Sequence, residues 1–224
     1  MRIVIKDVQL ELDKDHELSH FDFSLESGQM GGLYGTRDSA KTWLLMAVAG
    51  IFKVKSGEIL VGNESAVKSP AVVRRMVGLA ASPSVNPLIS HLSVKDNFRL
   101  QANALHVKHA NARIEEMAER FGIRAVMAEN VDRLPEFLAA KTGLAMALLN
   151  DPAVVLVDEP ERRLTTEEAR LLMNELEMLR EAGKTIMFTT RQREWLTTCD
   201  VFAEVAWNKG VYHIESVAAD VSRA

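Results

Sequence analysis

The sequence is short of several residue types and patterns, and each shortage excludes a class. One cysteine, Cys199, stands among 224 residues. No internal disulfide can form, and a reducing compartment suits the chain. A lone cysteine in an apolar stretch reads as a small core residue. No segment reaches the roughly 18 consecutive apolar residues that cross a bilayer. The longest apolar runs, such as LAMALL at 144–149, suit buried elements. The start, MRIVIKDVQLELDKD, meets acidic residues too early for a secretory signal. Basic residues do not exceed acidic ones (27 against 31, net charge −4), so no basic face is expected and nucleic acid is not expected as a partner. There is no repeat and no low-complexity segment, and the ten methionines are scattered as core filler. What remains is 47% hydrophobic and 26% charged, ordinary for a globular chain and long enough to bury one large core or a core plus a subdomain. A role at a membrane would run through a partner.

The first third reads as antiparallel strands. Residues 2–12 and 18–25 alternate apolar and polar side chains, and GEILVG at 57–62 is a short strand bounded by glycines. Further on, AVVLV at 153–157 and TIMFTT at 185–190 are short unbroken apolar runs, as expected of strands buried on both faces of a parallel sheet. Between them, Thr165 and Glu168 form a candidate capping box, Leu172, Leu176 and Leu179 share a helical face, and Gly183 marks the helix end. Strand–helix–strand makes the core α/β. Residues 93–123 read as charged helix without strand signal, with Ser93 and Asp96 as a second capping pair. They are expected to form a helical subdomain, spanning about 83–150, inserted into a single domain of residues 1–224.

Two motifs carry chemistry. GLYGTRDSAKT at 32–42 lies between an apolar strand and an apolar helix. In that setting a loop's N–H groups and the helix dipole face an anion, a lysine reaches the outer phosphates, and a hydroxyl binds Mg²⁺. Gly35, Lys41 and Thr42 fit the phosphate-loop pattern, while Ala40 stands where its second glycine belongs. Taken alone, the stretch is equally an ordinary turn with a surface lysine. VVLVDEP at 154–160 ends an apolar strand in two carboxylates. Asp158 could hold Mg²⁺ and Glu159 could polarise an attacking water, or the strand could end in a solvated turn.

Their order and separation of roughly 115 residues resemble the ATP-binding cassette (ABC) family. The resemblance extends over almost the whole chain: FDFSLESGQMGGLYG before the loop, SGEILVGN after it, RRMVGLAAS at 74–82, NPLISHLSVKDNF at 86–98, LAAKTGLAMALLNDPAVVLVDEP, KTIMFTTR at 184–191, and CDVFAEVAWNKGVYHI at 199–214. It implies an α/β P-loop NTPase core of ABC type, a mixed central sheet with an antiparallel β subdomain and an inserted helical subdomain. It implies ATP and Mg²⁺ as ligands, with Gly35, Arg37, Ser39, Ala40, Lys41 and Thr42 at the nucleotide, Thr42 and Asp158 at Mg²⁺, and Glu159 as the catalytic glutamate. It further implies an integral-membrane permease as partner, a homodimer or a heterodimer with another ABC ATPase, and a peripheral place on the cytoplasmic face of the membrane.

The departures fall on the catalytic parts. Two glycines of the family's phosphate loop are Asp38 and Ala40. Ala40 adds a methyl where backbone must approach phosphate, and one like-charge contact from Asp38 at 5 Å costs roughly 3 kcal/mol at an effective dielectric of 20. The signature loop, usually LSGGQ, aligns with Leu134, Pro135, Glu136, Phe137 and Leu138. Pro135 offers neither hydroxyl nor N–H. The Q-loop glutamine aligns with Ser82 and the switch histidine with Arg191, a fixed cation that cannot shuttle a proton. The D-loop aligns with Arg162 to Thr165, and His16 is the candidate for the adenine-stacking aromatic. These losses imply a catalytically impaired pseudo-ATPase with a structural or regulatory role. The alternative is an active subunit energising transport through a permease. A P-loop protein of another class, such as a small-molecule kinase, would want an arginine-rich lid that the chain lacks.

Overall fold

The computed structural model describes residues 1–13, 16–36, 40–80, 83, 85–208 and 211–219. The chain begins with strands β1 (Ile3–Glu11), β2 (Glu17–Leu25) and β3 (Met30–Tyr34), then helix α1 (Lys41–Val48). Strands β4 (Ser56–Val61) and β5 (Glu64–Ser65), helix α2 (Pro70–Met76) and strand β6 (Val77–Leu79) follow. Three helices come next: α3 (Val94–Ala104), α4 (Ala110–Arg120) and α5 (Glu136–Ala147). Strand β7 (Val154–Val157), helix α6 (Thr166–Glu181), strands β8 (Thr185–Thr190), β9 (Val201–Asn208) and β10 (Val211–Ala219) complete the order.

Among the described residues ten strands form one mixed sheet in the order β5-β4-β1-β2-β10-β9-β3-β8-β7-β6. β1 pairs antiparallel with β2 and β4, as the period-two alternation predicts. β3, β8, β7 and β6 run parallel, and every residue of β7 and β8 is buried. Their alternating side chains feed two cores. Val155, Val157, Ile186 and Phe188 pack with residues of α3 to α6 on one face. Val154, Leu156 and Met187 pack with α1 and the antiparallel strands on the other. Both faces are covered, which is why β7 is apolar throughout and β8 carries only threonine hydroxyls among its apolar residues, with no exposed polar alternation.

Local signals formed as expected. The Thr165 side chain accepts from the Glu168 N–H while the Glu168 carboxylate accepts from the Thr165 N–H, a complete capping box on α6. Gly183 ends that helix at φ +89°. Ser93 caps α3 by accepting from Asp96. Leu172, Leu176 and Leu179 are buried, and so is Cys199. The 93–123 segment is two helices, parted at His106 and His109, both in the left-handed region. Gly78 admits no side chain: a Cβ there would meet the Ala147 carbonyl oxygen at 2.3 Å and Pro152 Cγ at 2.6 Å. This contact seats the end of α5 directly on β6.

Candidate functional site

The site lies at the C-terminal ends of the parallel strands, where the crevice of an open α/β sheet forms. Strand β3 delivers Gly35, whose N–H donates to the Thr190 carbonyl at 3.2 Å. The helix α1 begins at Lys41 with Ala40 as its N-cap residue. Ala40 has φ −62°, an unstrained angle for a residue with a side chain, and its methyl is packed in the core with Leu44 and Leu45. Arg37, Asp38, Ser39 and Ser82 lie outside the described residues.

Lys41 is buried. Its ammonium donates to the Gly35 carbonyl at 2.8 Å and the Thr36 carbonyl at 2.9 Å. Burial lowers its pKa from the usual lysine range, and Glu159 is the largest influence opposing that. Glu159 Oε1 lies 3.7 Å from the Lys41 nitrogen. The other oxygen, Oε2, lies 3.2 Å from Arg191 Nε. The residue aligned with the switch histidine thus grips the residue aligned with the catalytic glutamate.

Next to this pair, Asp158 Oδ1 accepts from Thr42 Oγ1 and from Thr189 Oγ1, each at 2.8 Å. Asp158 is buried. Thr42 and Asp158 present hard oxygen donors of the kind Mg²⁺ takes. Among the described residues no group of three or more acids, histidines or cysteines could cage a metal. An ion held here would complete its shell with phosphate and water, the usual habit of Mg²⁺.

Two participants had weak signals in the sequence. Thr189 donates to Asp158 and also accepts the Glu159 N–H at 2.9 Å. Hydroxyls in a fully buried strand end were its one signal. Glu161, only 6% exposed, accepts from Thr190 Oγ1 at 2.8 Å and from the Arg191 N–H at 2.9 Å. Burial pushes its carboxyl above the usual glutamate range, against these hydrogen bonds. Its Oε2 is buried without a hydrogen-bond partner. Glu159 itself has φ +45°, a region that costs a residue with a Cβ about 1–3 kcal/mol.

The LPEFL stretch opens α5. Pro135 is its N-cap residue and provides no side-chain cap. Glu136 pairs with Arg163 of the D-loop stretch at 3.2 Å, in the same chain. Phe137 packs against the helical core, with Lys141 over its ring at 5.5 Å. His16 stacks on Tyr212 with centroids 6.4 Å apart, and its Nδ1 lies 2.6 Å from an Asp13 carboxylate oxygen.

A loop between strand and helix with a buried lysine, beside two carboxylates ending a neighbouring parallel strand, defines an α/β P-loop nucleotide-binding fold. Comparison with known proteins narrows the class. The family model for the ABC transporter matches residues 18–162, and the chain belongs to that family. The thiamine import ATP-binding protein ThiQ of Vibrio parahaemolyticus is 32% identical over 200 residues, covering 84% of this chain and 80% of that protein. The ABC transporter ATP-binding protein NatA of Bacillus subtilis is 28% identical over 180 residues, covering 79% and 73%. A dimeric ATP-binding cassette solved in a post-hydrolysis state with ADP and Pi matches with a TM-score of 0.83 at 18% identity, covering 97% of this chain and 98% of that one. The last likeness establishes the fold.

Proposed function

We propose that this chain is the nucleotide-binding subunit of an ABC transporter-like membrane complex, and that it is a pseudo-ATPase with a structural or regulatory role. The observation that carries the reading is the Arg191–Glu159 ion pair. A general base must be able to take a proton from water. Here one carboxylate oxygen faces the Lys41 ammonium and the other the Arg191 guanidinium, so both are engaged by cations where a general base would hold a water. The signature stretch supports the reading too, since Pro135 has neither hydroxyl nor N–H for a γ-phosphate bound by a second subunit, and Glu136 would bring a negative charge to it.

In this reading Gly35, Arg37, Ser39, Ala40, Lys41 and Thr42 surround nucleotide, Thr42 and Asp158 hold Mg²⁺, and Glu159 is vestigial. In a heterodimer with an intact ABC ATPase, this phosphate loop would face the partner's intact signature. A homodimer would place LPEFL in both composite sites. The permease would dock beside the helical subdomain. A cleft of about 340 Å³ there is lined by Met46, Ile51, Val85, Gln101 and Leu105, and Ile51 is half exposed. Among the described residues no helix is long and apolar enough to cross a membrane, so attachment to the cytoplasmic face would come through that partner.

Steady-state ATP hydrolysis by the purified chain tests the reading. The expected rate is at background. A rate above background that falls on Glu159→Gln would establish the alternative, an active subunit energising transport. Copurification from native membranes is expected to bring down a permease.

A further inference from the structure

The parts of the site that would receive phosphate already hold an anion. Lys41 has three donors, and two go to the carbonyls of Gly35 and Thr36. Its counter-charge comes from Glu159, whose carboxylate spans Lys41 on one oxygen and Arg191 on the other. Glu159 reaches this position from a left-handed backbone at φ +45°, a conformation that persists only when surrounding contacts impose it. Those contacts are visible. Thr189 accepts the Glu159 N–H at 2.9 Å. Glu161 accepts both the Thr190 hydroxyl and the Arg191 N–H, which sets the segment carrying Arg191 against the end of β7. The Glu159 carboxylate lies 3.7 Å from the Lys41 nitrogen and 3.2 Å from Arg191 Nε, so an incoming polyphosphate meets cations already matched by a carboxylate.

We propose that Glu159 is an intramolecular anion occupying the outer-phosphate subsite of Lys41, pinned there by Arg191, which Glu161 in turn positions. A nucleoside polyphosphate binds by displacing the Glu159 carboxylate, so the chain inhibits its own nucleotide site. Arg191 and Glu161 are positioning residues in this device. The inference rests on reading the loop as a nucleotide site. It places a resistance to nucleotide in residues 159, 161 and 191, outside the phosphate loop.

The test is calorimetric titration of the full chain with ADP and Mg²⁺, and separately with AMP, which lacks the phosphate that the lysine reaches. ADP keeps hydrolysis out of the measurement. Glu159→Gln is expected to tighten ADP at least tenfold, equivalent to about 1.4 kcal/mol, and to leave AMP unchanged. Glu159→Asn is the second variant: it is neutral, shorter, and better tolerated in the left-handed region. It is expected to show the same gain if the glutamine variant folds poorly. Adding Lys41→Ala to Glu159→Gln is expected to remove the gain. If the parent chain binds ADP and neither neutral variant binds it more tightly, the inference is overturned and the nucleotide-site reading stands. If the gain survives loss of Lys41, or appears equally with AMP, the inference is overturned as well. If ADP binds to none of the proteins at millimolar concentration, both readings fall.

Discussion

Replacing Thr189 by valine tests whether the carboxylate end of β7 is held by strand β8. Valine keeps the shape of threonine and removes one hydroxyl. Thr189 is fully buried, so water cannot replace what is lost. Two interactions go together: the 2.8 Å hydrogen bond to Asp158 and the 2.9 Å bond accepted from the Glu159 N–H. A bond to a charged group and an orphaned buried donor each cost about 1–3 kcal/mol. Burying one extra methyl-sized apolar group returns roughly 0.8 kcal/mol. The net loss is about 1–5 kcal/mol. With about 3 °C of melting temperature per kcal/mol in a chain of this size, the midpoint falls by about 3–15 °C. Urea denaturation followed by circular dichroism measures it, with Thr189→Ser as the control that keeps both bonds. The expected order is parent, then serine a little below, then valine well below, at a constant slope with denaturant. A valine variant within 0.5 kcal/mol of the parent, or a serine variant as unstable as valine, would refute the reasoning.

Two further outcomes follow from the burial of Glu161 and the close packing at Gly78. The Glu161 carboxyl is raised above its ordinary value of 4.5 chiefly by burial, so in the window above that value the folded chain binds more protons than the unfolded one. Stability then falls as pH rises through the window, and Glu161→Gln is expected to gain on the parent as pH rises above that value; a difference in urea midpoints that is flat or opposite in slope would contradict this. Gly78→Ala is expected to destabilise by roughly 1–3 kcal/mol through overpacking against the Ala147 carbonyl and Pro152, read as a lowered melting temperature; a neutral variant would mean that α5 can slide off β6.

The family alignment brought Lys41, Thr42, Asp158, Glu159 and Arg191 forward as one site, and the sheet does bring them together. What alignment could not supply was their state. In the sequence alone Lys41 fits a surface lysine in a turn as well as a phosphate ligand, yet it folds onto the carbonyls of Gly35 and Thr36. Ala40 read as an obstruction to phosphate, and its methyl lies in the core at an ordinary backbone angle. Arg191 read as a lost histidine, and it forms an ion pair. Arg163 and Glu136 belonged to two separate failed motifs, and they pair with each other.

The sequence by itself determined the elements: alternation in β1 and β2, unbroken apolar runs in β7 and β8, the capping box of Thr165 and Glu168, and the stop at Gly183. Each depends on residues within one or two turns or along one strand, so its physical cause is contained in a short window. The tertiary structure alone decided which charges meet. Glu159 and Arg191 are 32 positions apart in the chain, and they touch because β7 and β8 pair in parallel with Val157 opposite Phe188. Only that register places the two strand ends, with Thr189 and Glu161 between them, around the same few ångströms of buried space.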